Sequence, residues 1–177
     1  MEQNNTPAEK TIMDRIRPLI SLFVVAGIIF AADQIIKTWV VNNIEKCVRY
    51  PCDMIVPIEG FERIFRLVHL TNSGAAFGLF QNSGIVFVVV AFVVTGAIIY
   101  FYPMVTNQLV RFSLGLQLGG ALGNLWDRIF NNGEVVDYAD LGFWPIFNVS
   151  DVSIVTGVTI LAIWLWQQED DQVSLAS

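Results

Sequence analysis

Long apolar runs separated by short polar connections dominate the pattern along this chain of 177 residues. The runs cover residues 18–32, 84–102, 112–126 and 152–166, and the first continues past two charged residues to Val41. A helix rises 1.5 Å per residue and the bilayer core is about 30 Å thick, so a span needs roughly 20 residues. The pattern predicts an all-α membrane protein with four transmembrane helices, whose terminal polar residues lie near the membrane boundary.

The composition agrees with a membrane protein. Charged residues make up 15% of the chain, whereas an ordinary soluble domain has about 25%. The net charge of −6 and the lack of a basic block argue against nucleic acid as a partner. The polar lead before the first run is long and no small-residue cleavage site follows, so we expect a retained helix and not a cleaved signal peptide.

Basic residues favour one orientation of the four helices. Lys10, Arg15 and Arg17 precede the first run and Arg111 lies in the second connection, so these segments are predicted to be cytoplasmic. The first connection opposes this assignment with four basic residues of its own, although acidic residues accompany them. We predict cytoplasmic tails at 1–17 and 168–177 around a membrane domain at 18–167.

The first connection, about residues 42–83, is predicted to form a small extracytoplasmic β-cradle between helices 1 and 2. Residues 63–70 partly alternate between polar and apolar and are typical of a strand. His69 lies within this strand and is interpreted as structural, because the chain has no second His and no metal-spaced Cys. Cys47 and Cys52 form either a disulfide, if they face an oxidising compartment, or two unpaired thiols.

Charged and amide side chains recur at the ends of the apolar runs, where such groups usually indicate function. Asp33 and Lys37 are four residues apart and share a helix face, although a self-neutralising pair would look the same. In residues 119–128, small residues predict close helix packing. Asn124 and Arg128 share a face there, with Asp127 beside them. The alternative for this segment is a packing patch that ends in an Asp–Arg pair.

Two further carboxylates follow the third run. Asp137 lies in a Val-Val-Asp-Tyr segment, and Asp151 follows Asn148 by three residues at the start of the fourth run. The Asn148–Asp151 spacing also fits a helix cap. Two carboxylates in one site share a proton, and such a pair can cleave an amide bond by activating water and polarising the carbonyl.

The segments taken together resemble the lipoprotein signal peptidase family, also called signal peptidase II. They occur in the family's order at residues 33–37, 72–78, 119–128, 135–138 and 147–151. Ser150 stands where the family more often has Ala. The connection from Arg128 to Asp137 is about one residue longer than usual, and the one from Asp137 to Asn148 is shorter.

The resemblance implies an aspartic endopeptidase that removes the signal peptide from diacylglyceryl-modified prolipoproteins, cleaving before the lipidated cysteine. Asp137 and Asp151 would be the catalytic pair, with no metal and no cofactor. The residues implied in substrate binding and support are Asp33, Lys37, Asn72, Gly74, Asn124, Asp127, Arg128 and Asn148. It also implies a multi-pass protein of the bacterial cytoplasmic membrane with an extracytoplasmic site. We further expect a monomer, inhibition by globomycin, and Phe143 and Trp144 at a lid.

Two other classes of function fit parts of the pattern. A proton-coupled transporter or channel would use Asp and Lys within the membrane as a relay, although the chain has no visible repeat. A membrane scaffold would use the same polar residues only to hold helices together. Proteolysis of a lipidated precursor separates the peptidase from both.

Overall fold

A computed structural model describes residues 12–48, 52–60, 64–74 and 84–176. Within these residues four helices form: α1 (Ile12–Asn43), α2 (Gly84–Phe101), α3 (Gln108–Phe130) and α4 (Val149–Ala176). A 3-10 turn, Tyr102–Met104, follows α2. Each of the four predicted runs corresponds to one helix, although Tyr102 at the end of the second run lies in the 3-10 turn. The helices α1 and α4 extend beyond their runs at both ends. Residues 1–11 of the predicted N-terminal tail lie outside the described residues.

Three helices in the described part of the chain are long and apolar enough to cross a membrane. The stretches are Pro18–Asn43, Gly84–Met104 and Val149–Glu169. The helix α3 is not among them, because its sequence is less apolar. It contacts α1, α2 and α4 and contains many buried residues, so protein and not lipid covers much of its surface.

Small residues allow α3 to approach its neighbours closely, which confirms the packing predicted for residues 119–128. A Cβ added to Gly119 would lie 2.8 Å from the Ala26 carbonyl oxygen of α1. One added to Gly120 would collide with the Ser150 carbonyl oxygen and the Ser153 hydroxyl of α4. The backbones of α1 and α4 therefore pack against α3 where these glycines lie.

The polar end of the bundle carries a three-stranded antiparallel sheet in the order β1 (Met54–Ile55), β2 (Arg66–Asn72), β3 (Val135–Asp140). The prediction that the cradle is formed between helices 1 and 2 is therefore incomplete. The first two strands come from that connection, but β3 comes from the connection between α3 and α4. Backbone pairing needs a second strand beside β2, and β3 supplies it over a large separation in sequence.

The register between β2 and β3 sets the position of one candidate residue. Leu70 pairs with Asp137 and Asn72 with Val135, after an irregularity between Leu67 and Leu70. The strand predicted at residues 63–70 is observed at Arg66–Asn72. Arg63, together with Arg49 and residues 75–78 of the matching segment, lies outside the described residues.

A compact junction joins the sheet to the end of α1. Val40 and Ile44 pack with Val136, Tyr138 and Ala139, and all five are buried. Burial of this apolar surface holds β3 against the membrane helices. Such burial stabilises the fold by roughly 25 cal/mol for each Å² of apolar surface removed from water.

The residues after α1 attach to β2. The ring Nδ1 of His69 lies 3.0 Å from the Ile44 carbonyl oxygen, which confirms a structural role. The Cys47 amide donates to the His69 carbonyl at 2.7 Å. Cys47 and Cys52 are joined by a disulfide, so of the two alternatives for these residues the structure has the bridged one.

Candidate active site

A cavity of about 330 Å³ opens where the sheet meets α3 and α4. Its polar lining includes both candidate carboxylates, and its apolar lining comes from residues before and within α4. The lining residues include Asn72, Gly74, Asn124, Arg128, Asp137, Trp144, Asp151, Ile154 and Val155. A separate groove of about 400 Å³ between α1, α2 and α3 is lined by apolar residues and has no group suited to hydrolysis.

Asp137 lies in the middle of β3 and is 4% exposed. Its Oδ1 accepts from Asn148 Nδ2 at 2.8 Å, and its Oδ2 accepts from Asn72 Nδ2 at 3.4 Å. The Asn72 amide is oriented by the turn that follows β2, since its Oδ1 accepts from the Gly74 backbone N–H at 2.9 Å. Strand pairing therefore brings an amide from β2 to the carboxylate of β3.

Asp151 lies in the first turn of α4 and forms a reciprocal cap with Asn148. The Asp151 N–H donates to Asn148 Oδ1 at 2.9 Å, and the Asn148 N–H donates to Asp151 Oδ2 at 3.2 Å. This is the capping-box arrangement, which satisfies backbone donors at a helix start. The capping interpretation of the Asn148–Asp151 spacing is thus confirmed, and it positions Asp151 at the cavity.

Two buried amide side chains connect the carboxylates. Asn148 is 1% exposed and contacts Asp137 through Nδ2 and Asp151 through Oδ1 and its backbone N–H. Asn124 donates from Nδ2 to Asp151 Oδ1 at 2.7 Å and accepts from Asn148 at 3.2 Å. The two aspartates, from a strand and a helix, therefore belong to one hydrogen-bonded group.

The proximity of the carboxylates shows in their electrostatics. Burial, and next the negative charge of Asp151, raise the pKa of Asp137 to about 7 from an ordinary value of 3.8. Hydrogen bonds from Asn72 and Asn148 oppose this rise without cancelling it. A buried carboxyl that keeps its proton near neutral pH beside a second carboxyl has the property required of a general acid.

A cluster of buried charges lies behind the cavity and is centred on Lys37. Its Nζ is 2.7 Å from Asp33 Oδ2, 2.9 Å from Asp127 Oδ2 and 3.1 Å from Asn124 Oδ1. Asp33 also accepts from the Ser150 N–H at 3.0 Å, and Asp127 accepts from the Val136 N–H at 3.0 Å. The cluster therefore ties α1 and α3 to the backbones that lead into both candidate catalytic residues.

Gln34 belongs to this cluster although the sequence interpretation gave it no role. Its Nε2 lies 3.0 Å from Asp127 Oδ1 and 3.3 Å from both the Gly123 carbonyl and Asp33 Oδ2. The only sequence signal is a polar side chain beside Asp33 in an apolar run. The contribution of the Val136 and Ser150 backbone N–H groups has no sequence signal.

Arg128 contributes positive charge to the cavity from the end of α3. Its guanidinium donates to the carbonyls of Asn124 at 3.5 Å and Gly74 at 3.4 Å, and it lies over the Phe87 ring of α2 at 4.9 Å. The same positive charge acts on both Asp137 and Asp151. All ten predicted site residues thus lie in the cavity wall or immediately behind it, with Asn148 buried between the two aspartates.

Residues 141–146 form a short loop beside the cavity. Backbone hydrogen bonds between Ala139 and Phe147 close its base, and Gly142 adopts a positive φ of 76° there. The side chains of Phe143 and Trp144 are 81% and 57% exposed. Large exposed aromatic groups next to a membrane helix are typical of the bilayer interface.

The arrangement suits hydrolysis by a pair of carboxyl groups. It offers one carboxyl with a retained proton, a second carboxyl held at a helix start, amide donors around them and a cavity that reaches apolar surface. The described residues contain no group of three or more His, Cys, Asp or Glu side chains placed to hold a metal ion.

Comparisons with known proteins agree on one family. The family model for signal peptidase (SPase) II matches residues 25–167. The lipoprotein signal peptidase of Halothermothrix orenii is 38% identical over 149 residues, covering 84% of this chain and 97% of that protein. That of Moorella thermoacetica is 42% identical over 146 residues, covering 80% and 88%.

Solved structures give the same fold. A bacterial membrane enzyme determined by the in meso method at 2.3 Å has a TM-score of 0.76 and 25% identity, over 85% of this chain and 90% of that one. A second, determined at 1.9 Å, has a TM-score of 0.70 and 26% identity.

Proposed function

Because this chain belongs to the signal peptidase II family and is an aspartic-type membrane peptidase that processes prolipoproteins, we propose that Asp137 and Asp151 are its catalytic pair. The observation that carries the proposal is that both carboxylates line one cavity and are held by the same residue, Asn148. Its side-chain amide donates to Asp137 and its backbone N–H donates to Asp151. Two carboxyl groups linked in this way act on one water molecule.

The chemistry follows from the protonation of the pair. The ionised carboxylate takes a proton from water as the water oxygen attacks the scissile carbonyl carbon. The neutral carboxyl donates a hydrogen bond to the carbonyl oxygen and stabilises the negative charge that develops there. The carbon–nitrogen bond then breaks, and the departing amine receives a proton from the pair.

The substrate we propose is a prolipoprotein with a diacylglyceryl cysteine, cleaved immediately before that cysteine. Its signal peptide is an apolar helix, and its lipid occupies the bilayer. On α4 the cavity is lined by Ile154 and Val155, and Val155 is 65% exposed on the surface that faces lipid. An opening of this kind admits a lipid-modified peptide sideways from the membrane.

The remaining site residues have supporting roles in this proposal. Asn72, Gly74, Asn124 and Arg128 line the cavity and bind the substrate backbone or the polar part of its lipid. Asn148 orients both carboxylates, Asp137 through its side-chain amide and Asp151 through its backbone N–H. Asp33, Lys37 and Asp127 brace the site from behind.

We propose that all four helices cross the membrane, α3 included. The connection between α2 and α3 is short, spanning only Tyr102–Met104 and three further residues, so α3 returns alongside α2. The inner position of α3 accounts for its lower apolar content, because protein side chains take the place of lipid. Both described ends of the chain, residues 12 and 176, then lie on the cytoplasmic side, within the predicted tails 1–17 and 168–177.

The sheet and the site lie at the opposite, extracytoplasmic end in this arrangement. A disulfide between Cys47 and Cys52 supports this orientation, since disulfides persist in oxidising compartments. Phe143 and Trp144 would then contact the outer interface and form a lid over the cavity. We further propose that the enzyme acts as a monomer and that globomycin occupies the substrate cavity.

Substitution of each aspartate tests the proposal. Asp137→Asn and Asp151→Asn keep the shape of the side chain, and we expect each to abolish cleavage of a diacylglyceryl precursor, measured by gel shift with purified enzyme. The matched control is Asp140→Asn, which changes a buried aspartate of the same strand that pairs with Arg66 at 2.6 Å outside the cavity lining.

The control variant is expected to retain cleavage. Full activity of either Asp137→Asn or Asp151→Asn in membrane-inserted protein would show that the substituted residue is not catalytic. Loss of activity in all three variants, together with loss of folded protein, would indicate a purely structural role for these aspartates.

A further inference from the structure

The two carboxylates of the proposed catalytic pair differ in their hydrogen bonding. Asp151 accepts a donor on each oxygen, from the Asn124 amide at 2.7 Å and the Asn148 backbone N–H at 3.2 Å. Asp137 accepts one short hydrogen bond on Oδ1, at 2.8 Å, and one of 3.4 Å on Oδ2. Among these four oxygens, Asp137 Oδ2 has the weakest hydrogen bond to a described residue.

The orientation of each amide is fixed by partners that have a single hydrogen-bonding role. The Lys37 ammonium can only donate, so the Asn124 atom that faces it at 3.1 Å is the oxygen. The Asn124 nitrogen therefore faces Asp151. In Asn148 the oxygen accepts from the Asp151 backbone N–H and the nitrogen lies 3.3 Å from the Val136 carbonyl, which can only accept.

The positions of the carboxylates in their elements add to the difference. Asp151 lies in the first turn of α4, where the partial positive charge of the helix start stabilises a carboxylate. Asp137 lies in a strand with little net dipole and is 4% exposed. Burial without a comparable compensating charge favours the neutral form of a carboxyl.

The surrounding charges do not reverse the difference between a neutral Asp137 and an ionised Asp151. Lys37 on α1 and Arg128 on α3 act on both carboxylates. The negative charge of Asp33 on α1 is offset by the Lys37 ammonium, which lies 2.7 Å away. Asp127 on α3 is held by the same ammonium at 2.9 Å, and the neighbouring Tyr138 is neutral at physiological pH.

We infer that Asp137 holds the shared proton of the resting pair on Oδ2, and that Asp151 is the ionised member that takes the proton from water. The inference rests on the proposed function and assigns a different role to each carboxyl. Asp137 then donates a hydrogen bond to the scissile carbonyl, and Asp151 becomes protonated as the water oxygen bonds to the carbon. On collapse, the proton on Asp151 passes to the departing amine nitrogen, and the pair returns to a single shared proton.

Infrared difference spectroscopy tests the assignment on the full chain in detergent. A protonated carboxyl has a carbonyl stretch that disappears when it ionises, so spectra are compared between mildly acidic and mildly alkaline buffer. We expect the band in the native enzyme and in Asp151→Asn, and its loss in Asp137→Asn. In Asp151→Asn the band should disappear at a pH no higher than in the native enzyme, because the neighbouring negative charge is gone.

Persistence of the band in Asp137→Asn with its loss in Asp151→Asn would overturn the inference, as would its absence from the native enzyme. The Asp140→Asn variant should retain the band and controls for buried carboxyls outside the pair. Thermal unfolding of each variant establishes that the spectra come from folded protein. Failure of the proposed function is distinguishable, because in that case both Asn variants would still cleave precursor whatever the infrared result.

Discussion

The Lys37 ammonium is the positive centre of the buried cluster behind the site. It has three short contacts, to Asp33, Asp127 and Asn124, and its side chain is 3% exposed. Burying a charge costs several kcal/mol unless partners compensate it, and removing one partner leaves the other uncompensated. The stability of the polar end of the bundle therefore depends on this residue.

Replacement of Lys37 by Met removes the charge and keeps the approximate length of the side chain. Asp33 and Asp127 would then face each other as unpaired buried carboxylates. We expect the free energy of unfolding to fall by about 3–5 kcal/mol, the usual effect of breaking a buried ion pair. Thermal unfolding of purified protein in detergent measures this loss as a lower melting temperature.

The matched control is Lys46→Met at the start of the sheet. Lys46 pairs with Glu134 at 3.1 Å, but the two side chains are 48% and 38% exposed. Exposed ion pairs contribute about 0–1 kcal/mol. Equal destabilisation by the two Lys variants would contradict the role assigned to Lys37.

Helix geometry predicted one contact of this cluster, the Asp33–Lys37 pair, and the family resemblance implied the supporting roles of Asp127 and Asn124. The four-residue spacing of Asp33 and Lys37 places both on one face of α1, and they do pair. The Asp33–Lys37 contact fits both interpretations of these residues, a self-neutralising pair and a brace for the site. The attachment of Asp127 to Lys37 and of Gln34 to Asp127 crosses between helices, and no local spacing encodes it.

At the scale of elements, the contact between α3 and α4 brings Asn124 close to Asp151. Gly120 lies at the closest approach, where a Cβ would collide with the Ser150 carbonyl oxygen and the Ser153 hydroxyl. Neither atom is the end of a long flexible side chain, so the helices would have to separate. Such a shift would lengthen the hydrogen bond of 2.7 Å between Asn124 and Asp151.

We expect Gly120→Ala to lower the rate of precursor cleavage at least tenfold and to destabilise the fold by about 1–3 kcal/mol, the usual cost of overpacking. Cleavage rate and melting temperature are measured on the same preparation. Gly27→Ala on α1 is the control, because a Cβ there has no neighbour within 4 Å. Unchanged activity in Gly120→Ala would show that the two helices tolerate separation.

The sequence did not predict β1 or β3 as strands, and β3 is the longer of the two. Val135–Asp140 is buried throughout, including its two aspartates, so it lacks the alternation that identifies a half-exposed strand. Its partner β2 is distant in sequence, and such pairing depends on the assembled helices. The four helices were predictable because apolar runs of sufficient length need no distant partner to be recognised.

At the scale of the whole molecule, the cavity combines burial with negative charge, and this makes the enzyme sensitive to pH. The pKa of Asp137 is raised to about 7, so its proton is lost as the pH rises through that value. We expect cleavage to decline on the alkaline side, by about tenfold per pH unit once Asp137 is ionised. A profile of kcat/KM against pH measures the decline, and a rate that stays constant well above pH 7 would contradict it.

Stability should follow pH in the same direction. Because the pKa of Asp137 is higher in the folded state than its ordinary value of 3.8, the folded state binds more protons between 3.8 and about 7. The contribution of Asp137 to the free energy of unfolding is therefore fully present below pH 3.8 and is lost progressively as the pH rises to about 7. The Asp137→Asn variant removes this contribution and should have a higher melting temperature than the native enzyme in alkaline buffer.

The orientation of the molecule in the membrane can be tested through its two cysteines, since the chain contains only Cys47 and Cys52. Their disulfide lies at the end of the bundle that carries the sheet and the cavity. On intact cells, a membrane-impermeant thiol reagent should label the protein only after treatment with an impermeant reductant. An added cysteine at exposed Thr106, in the connection between α2 and α3 at the opposite end, should be labelled only after lysis. The reverse pattern would place Asp137 and Asp151 on the cytoplasmic side, where lipid-modified precursors do not emerge after translocation.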